Sequence, residues 1–264
     1  MGSAGHILSQ FRRARRLSQL ELSLQADVSA RHISFIETGR TQPSRDVLLR
    51  LSAVMNLSHR DTNHLLTACG YAAVYSDIPL EETAMASVRQ ALTIMLEHHA
   101  PYPAVVLNQH WDLQMANRSM QQLISALLPA HQSDTQLNMM VVLFEPDGLR
   151  PFITNWPDVA ALLLRRLKLQ LQTQPSPKLA GLMNHLLSLD PPEHWQTPTP
   201  QSWEGPMLTA NLNVHGQPLS IFSTLTSFGT ALDAGLQELM IESYFPADDA
   251  TKAFFEYLAK EVDN

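Results

Sequence analysis

The sequence predicts an α+β chain: an all-α N-terminal region of five short helices, then a larger region that mixes strands with helices. Three observations carry this expectation. Apolar residues in the first seventy positions recur at helical spacing between repeated capping residues. After Pro101 and Pro103 the pattern changes from helical to extended. Between them, from Tyr71 to about Met85, the pattern loosens and Pro79 is followed by Glu81 and Glu82, which marks a boundary.

The helical region follows in order. Ile7, Leu8, Phe11 and Ala14 share one helical face, and Leu17 ends that segment. Ser18-Gln19-Leu20-Glu21 has the form of a capping box, with Ser taking an orphan amide and Glu reaching back. The second helix runs to about Ala26, and Asp27 stands where the turn needs a residue that tolerates positive φ. Ser29 caps a third helix that points Ile33 and Ile36 inward and stops at Gly39. Ser44 opens a fourth helix with Val47, Leu48, Leu51 and Met55, and Ser58 opens a fifth that ends at Cys69-Gly70.

In the larger region a helix over roughly 83–99 comes first. Ala104–Leu107 and Trp111–Met115 read as strands joined across Asn108-Gln109-His110, a hairpin-like pair. Asn117 precedes a helix to about Leu128. Met139–Phe144 fits a buried strand or a buried helix equally well. Pro151–Thr173 and Ser176–Leu189 are helical in pattern, and Pro191–Pro206 is a loop. Strands are expected at Met207–Val214, Leu219–Leu225 and Leu239–Phe245, with a turn at His215-Gly216-Gln217, and a closing helix at Asp248–Val262.

Composition limits the function classes. Apolar residues are 45% and charged residues 16% of 264 positions, enough for a real core and too apolar for disorder. No run approaches the ~18 apolar residues of a membrane span. Arg12, Arg13, Arg15 and Arg16 stand where a secretory segment needs apolar residues, so a soluble cytoplasmic chain is expected. Cys69 is the single cysteine and can form neither an internal disulfide nor, alone, a zinc site. The eleven histidines are scattered, the ten glycines form no phosphate loop, and no nucleophile motif occurs, so neither enzyme activity nor a cofactor is expected. The net charge of -7 hides a split. Residues 1–76 hold nine Arg against five acids, whereas the rest is strongly acidic. An acidic chain with one basic end is built to offer that end to a polyanion.

Residues 18–39 have the layout of a helix-turn-helix, whose second helix enters the major groove while the first lies across the phosphates. Gln19 stands at the start of one helix. Ser29, Ala30, Arg31, His32, Ser34 and Phe35 stand on the next, where Arg31 can offer a bidentate contact to guanine. The string Ser18-Gln19-x-x-Leu22-Ser23-x-x-Ala26-x-Val28-Ser29-x-x-x-Ile33-Ser34-x-Ile36-Glu37-x-Gly39 resembles the XRE family of phage-repressor helix-turn-helix proteins. Asp27 and Ser23 depart from that family's usual Gly and Ala. The resemblance implies a lambda-repressor-like five-helix domain in which Gln19 touches phosphate and Ala30, Arg31 and Phe35 face bases. It places Arg40 and Arg45 near the DNA backbone and pairs Glu37 with Arg12. A helical protein-interaction module is the other reading of the segment, and the local Arg excess speaks against it.

Further phrases follow in order: Pro103-Ala104-Val105-Val106-Leu107, Trp111-Asp112-x-x-x-Ala116-Asn117, Glu145-Pro146-Asp147-Gly148-Leu149-Arg150-Pro151, Asn155-Trp156, Phe222-Ser223-Thr224-Leu225-Thr226-x-Phe228-Gly229-Thr230 and Ile241-Glu242-Ser243-Tyr244-Phe245-Pro246-Ala247-Asp248. Together they resemble the MmyB-like ligand-binding domain found behind XRE domains. That resemblance implies a PAS-like antiparallel sheet flanked by helices, with a pocket for a fatty-acyl or similar apolar molecule. The expected domains are thus 1–72, a connecting segment 73–84, and 85–264. Candidate pocket residues are Trp111, Met115, Phe144, Thr226 and Phe228, although capping explains Asn117, and core anchoring explains Trp111, better than ligand contact does. One helix-turn-helix reads few base pairs, so a homodimer on a double-stranded operator is expected. A C-terminal domain that only dimerises, or a protein-binding adaptor, are the alternatives.

Overall fold

In the computed structural model, which describes residues 4–128, 136–174, 176–197, 208–229 and 231–261, the N-terminal helices begin and end where their caps stand. After α1 (Ala4–Ala14), Ser18 precedes α2 (Gln19–Ala26) in a complete capping box: its Oγ accepts from the Glu21 amide, and its own amide donates to Glu21 Oε2 at 2.7 Å. Asp27 holds φ 51° in the turn, as its position required. Ser29, Ser44 and Ser58 each accept an amide three residues on, opening α3 (Ala30–Glu37), α4 (Arg45–Val54) and α5 (His59–Ala68). Leu8, Leu22, Ile33, Leu48, Leu51 and Leu65 meet in a core closed to solvent. Gly5 lets α1 lie directly on the end of α3, because a Cβ there would come within 2.3 Å of the Ile36 carbonyl.

The remaining elements follow along the chain. A short 3-10 turn (Thr83–Met85) leads into α6 (Ala86–Glu97), then β1 (Ala104–Leu107), β2 (Leu113–Ala116), α7 (Arg118–Leu127) and α8 (Met139–Phe144). Next come α9 (Trp156–Thr173), α10 (Pro177–Leu187), β3 (Ala210–Val214), β4 (Gln217–Ser227), α11 (Ala234–Gln237), β5 (Met240–Pro246) and α12 (Asp249–Glu261). The five strands form one antiparallel sheet in the order β2-β1-β5-β4-β3. The chain divides into two compact units, Met1–Met85 with Phe228–Glu238, and Ala86–Ser227 with Leu239–Asn264.

Register fixes the two faces of the sheet. Ala116, Val105, Glu242 and Leu225 lie in one cross-strand row, and Met115, Val106, Ile241 and Thr226 in the next. Successive residues alternate faces, so these rows point oppositely. The Val105 row faces α7–α10, whose Met120, Phe144, Leu164 and Leu179 share its core. Asn117 joins the sheet to α7 with four hydrogen bonds: Oδ1 accepts from the Ala104 and Met120 amides, and Nδ2 donates to the Leu96 and Tyr102 carbonyls.

Several expected elements change on folding. Met139–Phe144 is a helix, opened by Asn138, whose Oδ1 accepts from the Val141 amide. The second strand starts at Leu113 rather than Trp111, because Trp111 has φ 68° and cannot continue a strand. The helix expected from Pro151 starts at Trp156, after a separate 3-10 turn over Arg150–Phe152. Met207, most of the loop's end (198–206), Thr230 and Val262 lie outside the described residues.

The strongest polar tie of the N-terminal unit is buried. Arg12 Nε and Nη2 donate to the two Glu37 oxygens at 2.7 and 2.8 Å, the two side chains being 9% and 6% exposed. Arg12 Nη1 also donates to the Leu17 carbonyl, and Gln19 Nε2 donates to Glu37 Oε2. Burial works against the Glu37 carboxylate, yet the hydrogen bonds from Arg12 and Gln19 outweigh it and hold its carboxyl below the usual range. A depressed carboxyl contributes stability above its unfolded pKa and loses it as pH falls through the folded value. Urea unfolding should therefore show the domain weakening at acid pH, with a smaller acid dependence in Glu37→Gln. Arg12→Ala, which strands a buried carboxylate, should cost about 3–5 kcal/mol at neutral pH.

Candidate DNA-reading face and ligand cavity

On α3 the inward positions Ile33 and Ile36 leave the opposite side free. Ser29 and Arg31 are exposed, while Ala30, His32, Ser34 and Phe35 are half-buried. The guanidinium groups of Arg31 and Arg40 lie 5.2 and 5.7 Å from the centre of the Phe35 ring. The ring holds both cations in a defined place, which lowers the entropy cost of presenting them. Arg45 is exposed in the first turn of α4. Gln19 gives one amide N–H to Glu37, and the same amide carries a second N–H that can donate outward.

A second polar constellation in this unit escaped sequence reasoning. Segment Phe228–Glu238, far along the chain, is fastened to α5 and to the stretch after it. Arg60 forks between Asp77 and Glu238, with Nε donating to Glu238 Oε1 at 2.9 Å. The His59 amide donates to Gln237 Oε1 at 2.8 Å, and the Ile78 amide to Asp233 Oδ2 at 3.1 Å. Asp233 also caps α11, and the Ala234 amide donates to the Ser76 carbonyl at 2.7 Å. Burial alone would raise the Asp233 carboxyl, but these amide donors and Ser76 hold it below its ordinary value. The signal in the sequence was a run with Asp233, Gln237 and Glu238 between two strands, readable as a cap and two acceptors but with no hint of their partners.

The C-terminal unit contains a cavity of about 130 Å³ between the sheet and its helices. Met120, Leu123 and Ile124 of α7, Leu143 of α8, and Val159 and Leu163 of α9 form its helical wall. The sheet supplies Leu212, Ile221, Ser223, Glu242 and Tyr244. An apolar cavity of about 150 Å³ accepts a benzene-sized molecule, so this one has room for about six carbons.

None of the five pocket candidates from sequence lines this cavity. Trp111 is buried in the core, where its indole N–H donates to Gln170 Oε1 at 3.0 Å and Arg166 lies 5.0 Å from its ring. Phe144 is fully buried, edge-on to Trp156. Met115 and Thr226 lie in the row that faces away from the cavity. Phe228 belongs to the N-terminal unit. On β4 it is Ser223, three residues before Thr226 and on the opposite face, whose hydroxyl meets the cavity.

A family model described as the MmyB-like transcription regulator ligand binding domain matches residues 88–258, and a helix-turn-helix model matches residues 8–61. The chain belongs to the MmyB-like transcription regulators. It is a DNA-binding regulator of the XRE-type helix-turn-helix class with a ligand-binding domain. Both matched families are regulatory rather than enzymatic. No curated protein matches the chain. Among solved structures it is similar to an RNA-binding light-oxygen-voltage receptor at 12% identity and a TM-score of 0.23, over 99% of this chain and 62% of that one. A likeness at that score carries no argument about either fold or function.

In this MmyB-like regulator the cavity lies wholly within residues matched by the ligand-binding family model. A cavity-filling change should therefore abolish uptake of an apolar molecule. Leu163→Trp, on the helical wall, should weaken 1-hexanol binding, measured by titration calorimetry, about tenfold or more while leaving the far-ultraviolet circular dichroism unchanged. Undiminished binding of the alcohol would place the apolar site elsewhere.

Proposed function

We propose that this regulator binds an operator as a homodimer in the cytoplasm, and that a small apolar molecule of the fatty-acyl kind in the cavity sets its operator affinity. The observation that carries this reading is the path of the chain. Strands β4 and β5 wall the cavity through Ser223, Glu242 and Tyr244, and the segment joining them belongs to the DNA-binding unit. A ligand that changes the ends of β4 and β5 pulls on residues fastened to α5 through Arg60 and His59. Such a ligand alters DNA affinity only by its differential affinity for the two arrangements of the heads.

On the DNA side, Ser29, Ala30, Arg31, His32, Ser34 and Phe35 form the reading surface, with Gln19, Arg40 and Arg45 toward the phosphates. Phe35, as the platform for Arg31 and Arg40, serves both sets. The basic surplus of residues 1–76 supports binding to a polyanion.

An operator selected from random duplexes gives the test. Saturating 1-hexanol should change the affinity of the full chain by about fivefold or more. Arg60→Ala should keep uptake of the alcohol and lose that response. Equal affinity with and without the alcohol, in a protein shown to bind it, would overturn the regulatory reading. Within the reading surface, Arg31→Ala should relax one base position at a cost of about 1–3 kcal/mol. Arg45→Ala should weaken all sequences alike and flatten the salt slope by about one unit.

A further inference from the structure

The cavity is apolar on every side except one. At that side stands Glu242, in the middle of the central strand of the sheet and 8% exposed. Its row neighbours are Val105 and Leu225, neither of which can pair with a carboxylate. Ser223 Oγ donates to Glu242 Oε1 at 2.7 Å, and the Tyr244 hydroxyl hydrogen-bonds to the same carboxyl group. Arg166 is the cation whose charge Glu242 favours, but its guanidinium lies on the Trp111 ring and it does not line the cavity. Among the described residues no ion pair joins Arg166 to Glu242.

A carboxylate has room for about four hydrogen bonds, and two hydroxyls leave part of that capacity open toward the cavity. Leaving a buried charged acceptor short of donors is costly, so a bound molecule that completes the set gains affinity. An anionic end group in the same place meets a like charge in a setting with little water to screen it.

Resting on the cavity as the ligand site, we propose that Glu242, with Ser223 and Tyr244, makes the cavity select apolar molecules whose polar end donates a hydrogen bond, an alcohol or a primary amide, over those ending in a carboxylate. The apolar walls bind the chain of the ligand, and the Glu242 end chooses its head. The selecting residue is a carboxylate, so the choice is by repulsion of the wrong head as well as attraction of the right one. Within the fatty-acyl class this points to reduced or amidated derivatives rather than the free acid.

A matched six-carbon series tests this in the full chain: 1-hexanol, hexanamide and hexanoate, each measured directly by isothermal titration calorimetry at neutral pH. The alcohol and the amide should bind at least about tenfold more tightly than hexanoate, the worth of one hydrogen bond to a charged group. Glu242→Gln replaces the carboxylate by an amide that can also donate, so it should close or reverse that gap. Ser223→Ala, an exposed position that needs no refolding of the core, should widen the preference for donor heads by freeing one carboxylate oxygen. Hexanoate binding as tightly as hexanol in the parent protein would overturn the head-group assignment while leaving the cavity as the ligand site. Failure of all three compounds to bind would overturn both. A gap that persists unchanged in Glu242→Gln, with the variant's melting curve intact, would remove Glu242 as its cause.

Discussion

The pairing of β5 between β1 and β4 is the constraint on which the ligand-binding unit depends. Because β5 is central, its register decides which residues of three strands share a face. It turns Met240, Glu242 and Tyr244 toward the helices and Ile241 and Ser243 away from them. A slip of one residue would bury Ile241 at the cavity and expel Glu242, inverting the site's chemistry. The strand also begins two residues after Glu238, which Arg60 holds in the N-terminal unit. One strand thus carries the polar end of the cavity and continues, within a few residues, into the segment docked on α5.

Three buried polar side chains elsewhere in the chain, Glu37, Asp112 and Asn117, are well supplied with partners, and Glu242 differs from them. Glu37 receives both arms of Arg12 and the amide of Gln19. Asp112 accepts from Lys178, Asn138 and Asn108, which together overcome the effect of burial and keep its carboxyl below the ordinary value. Asn117 spends both ends of its amide on four backbone groups. These three serve packing: each fixes the junction of two or more elements, and none faces a void. Glu242 has two hydroxyl partners and a cavity in front of it. Burial and Glu242 both push the Tyr244 hydroxyl well above its usual range, so it stays a donor at any ordinary pH.

The local grammar of the N-terminal domain was legible because its signals act over three or four residues. Ser18, Ser29, Ser44 and Ser58 each cap a helix through an amide three positions away, and Asp27 needed only its own backbone angle. The Arg12–Glu37 pair came from the family pattern rather than from spacing. The sheet was legible as strands but not as faces. Thr224-Leu225-Thr226 shows alternation without saying which side is inside, and only pairing with β5 settles that Ser223 and Leu225 share the face of Glu242 and Tyr244. Trp111 and Phe144 drew attention as large aromatics, and they went to the core because they are the side chains best able to fill it. The overlooked residue was the charged one, Glu242 within an apolar strand, where a carboxylate has no structural reason to be. The docking of Phe228–Glu238 was beyond reach, since Arg60 and Glu238 lie 178 residues apart.

Hydrogen exchange of the full chain with and without saturating 1-hexanol tests the coupling of cavity to DNA-binding unit most directly. Occupancy should change amide protection in Phe228–Glu238 and α5 as well as in β4 and β5, and Arg60→Ala should confine the change to the strands. Protection altered around the cavity alone in the parent protein, with Phe228–Glu238 and α5 unmoved, would contradict a path for regulation through this segment.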